Sequence, residues 1–211
     1  MNKASSCWAV LSLFLLSLGV PAVSAHGIHP GSSADKMIVE RFVGSSIQCA
    51  LDVVNDSELT EEQALARFAE LLEDYFDLDK LVNFSFGQHA RTLDPASKGT
   101  LRLLINRMLI ATYAGNFKIY KGAKFAIRGA QQLQKGIFNV PVDISVPGKS
   151  NMVILVTVRQ DKEGQRKIID ISWDGISLRS LLREQVSGSI SELGPKRAME
   201  KFEQIFGPAG K

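Results

Sequence analysis

The sequence predicts an α+β fold: helices first, then an antiparallel sheet, then helices again. Three observations predict it. Apolar residues recur at helical spacing from Ala34 to Tyr113. They alternate in twos, with turn signals between the runs, from Phe125 to Trp173. The spacing returns to helical from Ser177 to Phe206. Helices and strands that are segregated along the chain, rather than interleaved, give α+β and not a parallel α/β sheet.

The elements follow in order. Residues 1–25 read as a cleaved secretory signal. Lys3 gives a positive start, Trp8 to Val20 is almost wholly apolar, and Val23-Ser24-Ala25 offers small residues for cleavage. That apolar run is too short for a good membrane span, and no stop-transfer charge follows. Residues 26–35, rich in Gly, Pro and Ser, are expected to be flexible. A single domain is expected over 36–206, with a tail at 207–211. Helical spacing runs to about Asn55. Thr60-Glu61-Glu62-Gln63 has the form of a capping box, and the face from Ala64 to Phe76 follows it. A short helix covers Asp79 to Phe86 and ends at Gly87. Asp94-Pro95 starts the next, with aspartate as cap and proline in the first turn. Four strands are expected: one around Phe125 and Ile127, one from Phe138 to Val146, one from Met152 to Val158, and one from Lys167 to Trp173. Pro147-Gly148 and Asp161 to Gly164 supply turns. Ser177 to Glu192 and a short helix to Phe206 close the chain.

Composition limits what the protein does. Of the two cysteines, only Cys49 survives signal cleavage, so no internal disulfide supports the fold. Cys49 shares a helical face with Ile38, Phe42 and Val53 and reads as a small buried residue. The near-neutral balance hides an asymmetry. Asp52 to Asp79 holds ten acidic residues and one basic residue, Arg67. Pro95 to Val142 holds eight basic residues (Lys98, Arg102, Arg107, Lys118, Lys121, Lys124, Arg128, Lys135) and no acidic one. These segments either pair with each other or face partners and phosphate head groups.

No catalytic constellation emerges. Gly175-Ile176-Ser177-Leu178-Arg179 lacks the second glycine of a hydrolase elbow, and Ser177 precedes a helix as an N-cap. Asp170 and Asp174 share a strand face about 13 Å apart, beyond the ~5 to 9.5 Å of glycosidase pairs. Asp174-Gly175 reads as a turn. His26, His29 and His89 make no metal-ligand spacing, and no phosphate loop, dinucleotide fingerprint or zinc motif occurs. No cofactor or metal is expected, and the basic stretch has no nucleic-acid reading motif.

Three segments carry a resemblance: YFDLDKLVNFSFG (75–87), IATYAGNF with YKG close behind (110–122), and IIDISWDGISLRSLLREQVSGSI (168–190). With them the chain resembles the MlaC / toluene-tolerance family of periplasmic lipid-binding proteins, which includes the hopanoid-associated HpnM branch. The resemblance covers about residues 36–192. It departs after Gly87, where QHART stands in place of an aromatic and a basic residue. The resemblance implies helices packed on a curved antiparallel sheet around a deep apolar cavity that receives acyl tails. It implies a soluble carrier, not an enzyme, that moves phospholipid between an outer-membrane lipoprotein complex and an inner-membrane ABC-type transporter complex. A monomer is expected.

The candidate lining comes from four places. Phe84 and the helix face Leu104, Ile105, Met108, Leu109 and Tyr113 form the first two. Phe125, Ile127, Val140, Val142, Ile144, Ile154, Val156, Ile171 and Trp173 come from the inward strand parity, with Ile169 on that same parity. Leu178 and Leu182 come from the closing helix. Asp170, Asp174, Ser177 and Arg183 read as structural polar residues, with Asp170 and Arg183 as a pair. Exposing a lipid of ~30 methylenes to water costs about 24 kcal/mol, so a carrier needs only a dry apolar site and no catalytic group. Two readings compete with carriage: an enzyme acting on a hydrophobic small molecule in the same cavity, and an adaptor with a filled core.

Overall fold

The computed structural model describes residues 32–114 and 117–206, with the side chains of 111–118 excepted. The expected signal segment and the 207–211 tail lie outside the described residues. Helix α1 (Ser33–Asn55) begins inside the stretch expected to be flexible, because Ser32 acts as its cap and accepts from the Asp35 amide at 3.0 Å. Helix α2 (Glu61–Tyr75) starts on the Thr60/Gln63 capping box. Phe76 leaves the helix in an extended conformation and bridges Ile168, and the Asp77 amide donates to the Ile168 carbonyl at 2.9 Å. Asp77 then caps α3 (Leu78–Ser85), accepting from the Lys80 amide. A 3₁₀ turn over Gly87–Arg91 leads to α4 (Pro95–Ala114), capped by Asp94, and a second 3₁₀ turn covers Phe117–Tyr120.

The sheet holds β1 (Lys124–Ile127), β2 (Gln131–Gln134), β3 (Ile137–Ser145), β4 (Met152–Gln160), β5 (Arg166–Trp173) and β6 (Ile176–Ser177). The order is β1-β3-β4-β5-β6, with β2 also on β3, all antiparallel and not closed. The four strands expected from the sequence are therefore six. The reasons are local. β2 reads Gln-Gln-Leu-Gln, with no apolar face to announce it, and β6 is two residues long. β1 and β2 share one flank of β3, and Pro141 sits where one gives way to the other. Its carbonyl accepts from the Arg128 amide, and lacking an N–H it returns no bond, which suits the place where β1 pairing ends. Helices α5 (Leu178–Leu193) and α6 (Pro195–Phe206) complete the fold. Among the described residues no helix is long and apolar enough to cross a membrane.

Two apolar cores form instead of one. The first lies among the helices and includes Leu81, Phe86, Leu101, Leu104, Leu182, Val186 and Phe202. The second lies between α1 and the sheet and includes Val39, Val43, Phe138, Val140, Val142, Val156 and Val158. Phe76 packs against both. Gly44 brings α1 close to β1: a Cβ there would stand 3.4 Å from Ile127 Cδ1.

Gly136 closes the β2–β3 hairpin at φ +74°, where an added Cβ would meet the Gln160 carbonyl oxygen at 2.5 Å. Gly188 lies inside α5 with open space around it. Gly136→Ala is expected to lower unfolding free energy by roughly 1–3 kcal/mol. Gly188→Ala should raise it by about 0.5–1 kcal/mol, since alanine loses less backbone entropy in a helix. Urea unfolding of the two variants checks both signs.

Candidate functional site

A pocket of about 480 Å³ lies between the two cores. One wall is helical: Ser46, Ile47, Ala50, Leu51 and Val54 from α1, then Phe68, Leu71, Leu72, Tyr75 and Phe76 from α2 and its end. The other wall is the inner sheet face, with Ile144 on β3, Met152, Ile154 and Val156 on β4, and Ile168, Ile171 and Trp173 on β5. Leu109, Tyr120 and Leu178 complete it. The α1 residues recur at three and four positions, so one stripe of a long helix supplies them all. The strand residues are cross-strand neighbours, because Ile144 pairs with Met152, Ile154 with Trp173 and Val156 with Ile171.

Among the described residues the lining carries no carboxylate, lysine, arginine, histidine or thiol. Two of its hydroxyls have partners. The Ser46 hydroxyl donates back to the Val43 carbonyl at 2.8 Å, and the Tyr75 hydroxyl lies 3.5 Å from Cys49 Sγ. Contact with that thiol, and then burial, raises the Tyr75 phenol above its ordinary value, so it stays neutral. Such walls can hold hydrocarbon by burial and dispersion.

Seven of the sequence-derived candidates meet at this pocket: Leu109, Ile144, Ile154, Val156, Ile171, Trp173 and Leu178. The others lie elsewhere. Val140 and Val142 are fully buried beneath α1. Leu104, Ile105, Met108 and Leu182 sit in the helical core. Phe125 and Ile127 are half-buried on β1 against α1. The Tyr113 side chain lies outside the described residues. Phe84 is half-buried beneath two arginines. Ile169 does not point inward as its parity implies. Thr157 pairs with Asp170 while Val158 pairs with Ile168, so Ile169 is a bulge residue and Ile168 takes the wall position. The α1 and α2 walls are absent from the sequence-derived set. Their helical periodicity is visible in the sequence, but it is the same signal that an ordinary core face gives.

The polar motif following β5 is structural in its geometry. Asp174 and Gly175 both have positive φ, 48° and 77°, and make a two-residue hairpin between Trp173 and Ile176. Asp170 is buried and accepts from the Ser177 hydroxyl at 2.6 Å and the Arg179 amide at 3.0 Å. The Ser177 oxygen in turn accepts from the Ser180 amide at 3.1 Å, capping α5. Arg183 is not the partner of Asp170; it lies over Phe84. The carboxylate finds a closer match in the free amides of the helix start than in a side chain one turn further along.

On the far side of Phe76 a polar recess of about 260 Å³ gathers Glu73, Asp77, Asp79, Arg102, Arg159 and Lys167. Its charges answer one another. Arg102 pairs with Glu73 at 2.9 Å and Asp79 at 3.3 Å, and Arg159 pairs with Asp77 at 2.8 Å. Lys167 donates to the Glu73 and Asp74 carbonyls at the end of α2. One basic residue of the 95–142 stretch thus pairs with the acidic segment. A second, Arg128, pairs with Asp143 beside it in the sheet and lowers that carboxyl below its ordinary value by hydrogen bonding. Among the described residues no three His, Cys, Asp or Glu side chains cluster as metal ligands.

Two outcomes test this geometry. Cys49→Ala should bring the Tyr75 phenol back toward its ordinary value, read from phenolate absorbance in an alkaline titration. Because the folded value is raised, any stability it contributes is complete below about pH 10 and is lost as pH rises through the folded value. Asp170→Ala leaves the Ser177 hydroxyl and Arg179 amide without their acceptor. It should lower stability by about 1–3 kcal/mol in denaturant unfolding.

The fold is shared with a solved structure. The crystal structure of a phospholipid-binding protein from Ralstonia solanacearum, in complex with a phospholipid, superposes with a TM-score of 0.67 at 18% identity. The match covers 79% of this chain and 97% of that one. At that identity the likeness establishes the shared fold. No curated protein matches the chain in sequence. The family model described as MlaC protein matches residues 45–204, from the wall-forming half of α1 into the last turn of α6, and the chain therefore belongs to the MlaC family.

Proposed function

We propose that this protein is a periplasmic lipid carrier. It holds acyl chains of a phospholipid, or of a hopanoid-type lipid, in the pocket between its two cores. It shuttles them between an outer-membrane lipoprotein complex and an inner-membrane ABC-type transporter complex. The observation that carries the reading is a 480 Å³ space whose walls are almost wholly apolar. Family membership and the fold shared with a phospholipid-bound protein support it. So does the signal-like start of the chain.

Volume refines the proposal. A methylene occupies about as much space as a water in the liquid, ~30 Å³. The pocket's 480 Å³ then matches one chain of about 16 carbons. Burying that chain is worth about 13 kcal/mol at ~0.8 kcal/mol per methylene, before ordering costs.

The competing enzyme reading needs an acid, base or nucleophile at the wall, and the hydroxyls nearest to hand have partners: Ser46 donates to the Val43 carbonyl, Tyr75 lies against Cys49 Sγ, and Ser177, beside the pocket, serves Asp170 and the Ser180 amide. Native mass spectrometry of protein purified without detergent tests carriage. The expected result is one lipid per chain. Ala50→Trp, which projects an indole into the pocket from α1, should reduce occupancy at least tenfold while leaving the circular dichroism spectrum unchanged. A wild-type protein that is empty of lipid and takes none from vesicles would sink the proposal. A bound mass that changes with time would favour the enzyme reading.

A further inference from the structure

Phe84 carries two guanidinium groups. Arg179 and Arg183 stand one turn apart on α5, and their guanidinium carbons lie 4.3 and 5.2 Å from the Phe84 ring centre. Neither makes an ion pair with a carboxylate among the described residues, unlike Arg67, Arg102, Arg128 and Arg159. Arg179 Nε is buried without a hydrogen-bond partner. Asp170, beside the start of α5, is already committed to Ser177 and the Arg179 amide. Glu184 follows Arg183 but departs from the helix about 100° away, on an exposed face.

Two like charges at this spacing repel, and an anion between them removes the repulsion. Arg183 is exposed, so its guanidinium is reachable from solvent. Gly87 presents bare backbone at φ +54°. An added Cβ there would stand 3.1 Å from Ser187 Oγ and 3.2 Å from Arg183 Nε, closer than ordinary contact, so the bare glycine lets this hydroxyl and guanidinium pack against the chain. The phenyl face fixes the guanidinium planes by cation–π attraction. Planar forks held in this way match the oxygens of a phosphate group.

We propose that Arg179 and Arg183, seated on Phe84, form an oxyanion site that takes a phosphate group. The site is separate from the apolar pocket, since none of these three residues lines it, and it does not depend on the carrier reading. The phosphate comes from one of two sources: the phosphodiester of a lipid head group, or free phosphate.

Arginine Nε–Hε resonances of the full chain, titrated at constant ionic strength, test the site. The probes are inorganic phosphate and glycerophosphoglycerol, a head-group diester without tails. A saturable shift of the Arg179 and Arg183 signals with either probe is expected, with affinity at least tenfold weaker in Arg183→Gln. Phe84→Leu keeps both charges but removes the platform and should also weaken binding. Saturation by the diester alone assigns the site to head groups, and saturation by inorganic phosphate alone assigns it to the free ion; either supports the proposal. No saturable shift with either probe overturns it. So does equal affinity in a folded Arg183→Gln protein, or the same response to added chloride.

Discussion

The structure depends on two apolar cores that share a boundary and do not merge. Phe76 packs against both, and its extended backbone ties the end of α2 to β5 through the Ile168 carbonyl. Holding that boundary in place keeps α2 standing off the sheet. A sealed empty cavity of 480 Å³ would cost about 12 kcal/mol at ~24 cal/mol per Å³, comparable with the whole ~5–15 kcal/mol stability of a domain. A fold cannot carry that deficit as a packing defect. The space must be open to solvent or filled, and walls made of Leu, Ile, Val and aromatic side chains are poor hosts for water, which needs two to four polar partners.

The polar motif after β5 is the second device that keeps the gap in shape. Asp174 and Gly175 reverse the chain in two residues, and Ser177 and Asp170 then satisfy the first amides of α5. A strand therefore runs into a helix within a few residues. Trp173 stays on the sheet wall while Leu178 borders the same pocket from the start of α5. Chemistry-like residues here serve geometry. A carboxylate, a hydroxyl and an arginine fall close together in sequence, yet the first two close a helix and the third lies on a phenyl ring.

What the sequence made legible were features with local causes. The capping box at Thr60, the Asp94-Pro95 start, the Asp-Gly turn and the Ser177 cap each depend on side chains reaching backbone groups a few residues away. β2 escaped notice because Gln131 and Gln132 carry no apolar alternation, and the Ile168/Ile169 exchange did so because a bulge breaks the two-residue period without a distinctive sequence mark. The wall itself divides along the same line. Ile154 and Trp173 were readable as inward-facing, but so were Val140 and Val142, and whether an inward face meets another face or a gap is set by elements far away in the chain. Ala50 and Leu51 on α1 were equally hidden, since a helix stripe looks the same over a core as over a pocket. The arginine pair needed the α3–α5 packing before Phe84 could be seen beneath it.

On the proposed reading, the character of the walls also decides what such a carrier discriminates. With no charge at the lining, head groups contribute little inside the pocket, and selection falls to hydrocarbon volume. Each methylene that fits is worth ~0.8 kcal/mol, so a chain four carbons too short forgoes about 3 kcal/mol, a factor of more than a hundred. A chain too long leaves its excess in water. Ion pairs such as Arg102 with Glu73 lie outside the pocket, beyond Phe76, where they hold the end of α2 without introducing polarity into the space it borders. A pocket built in this way can be general for head groups while remaining graded for tail length.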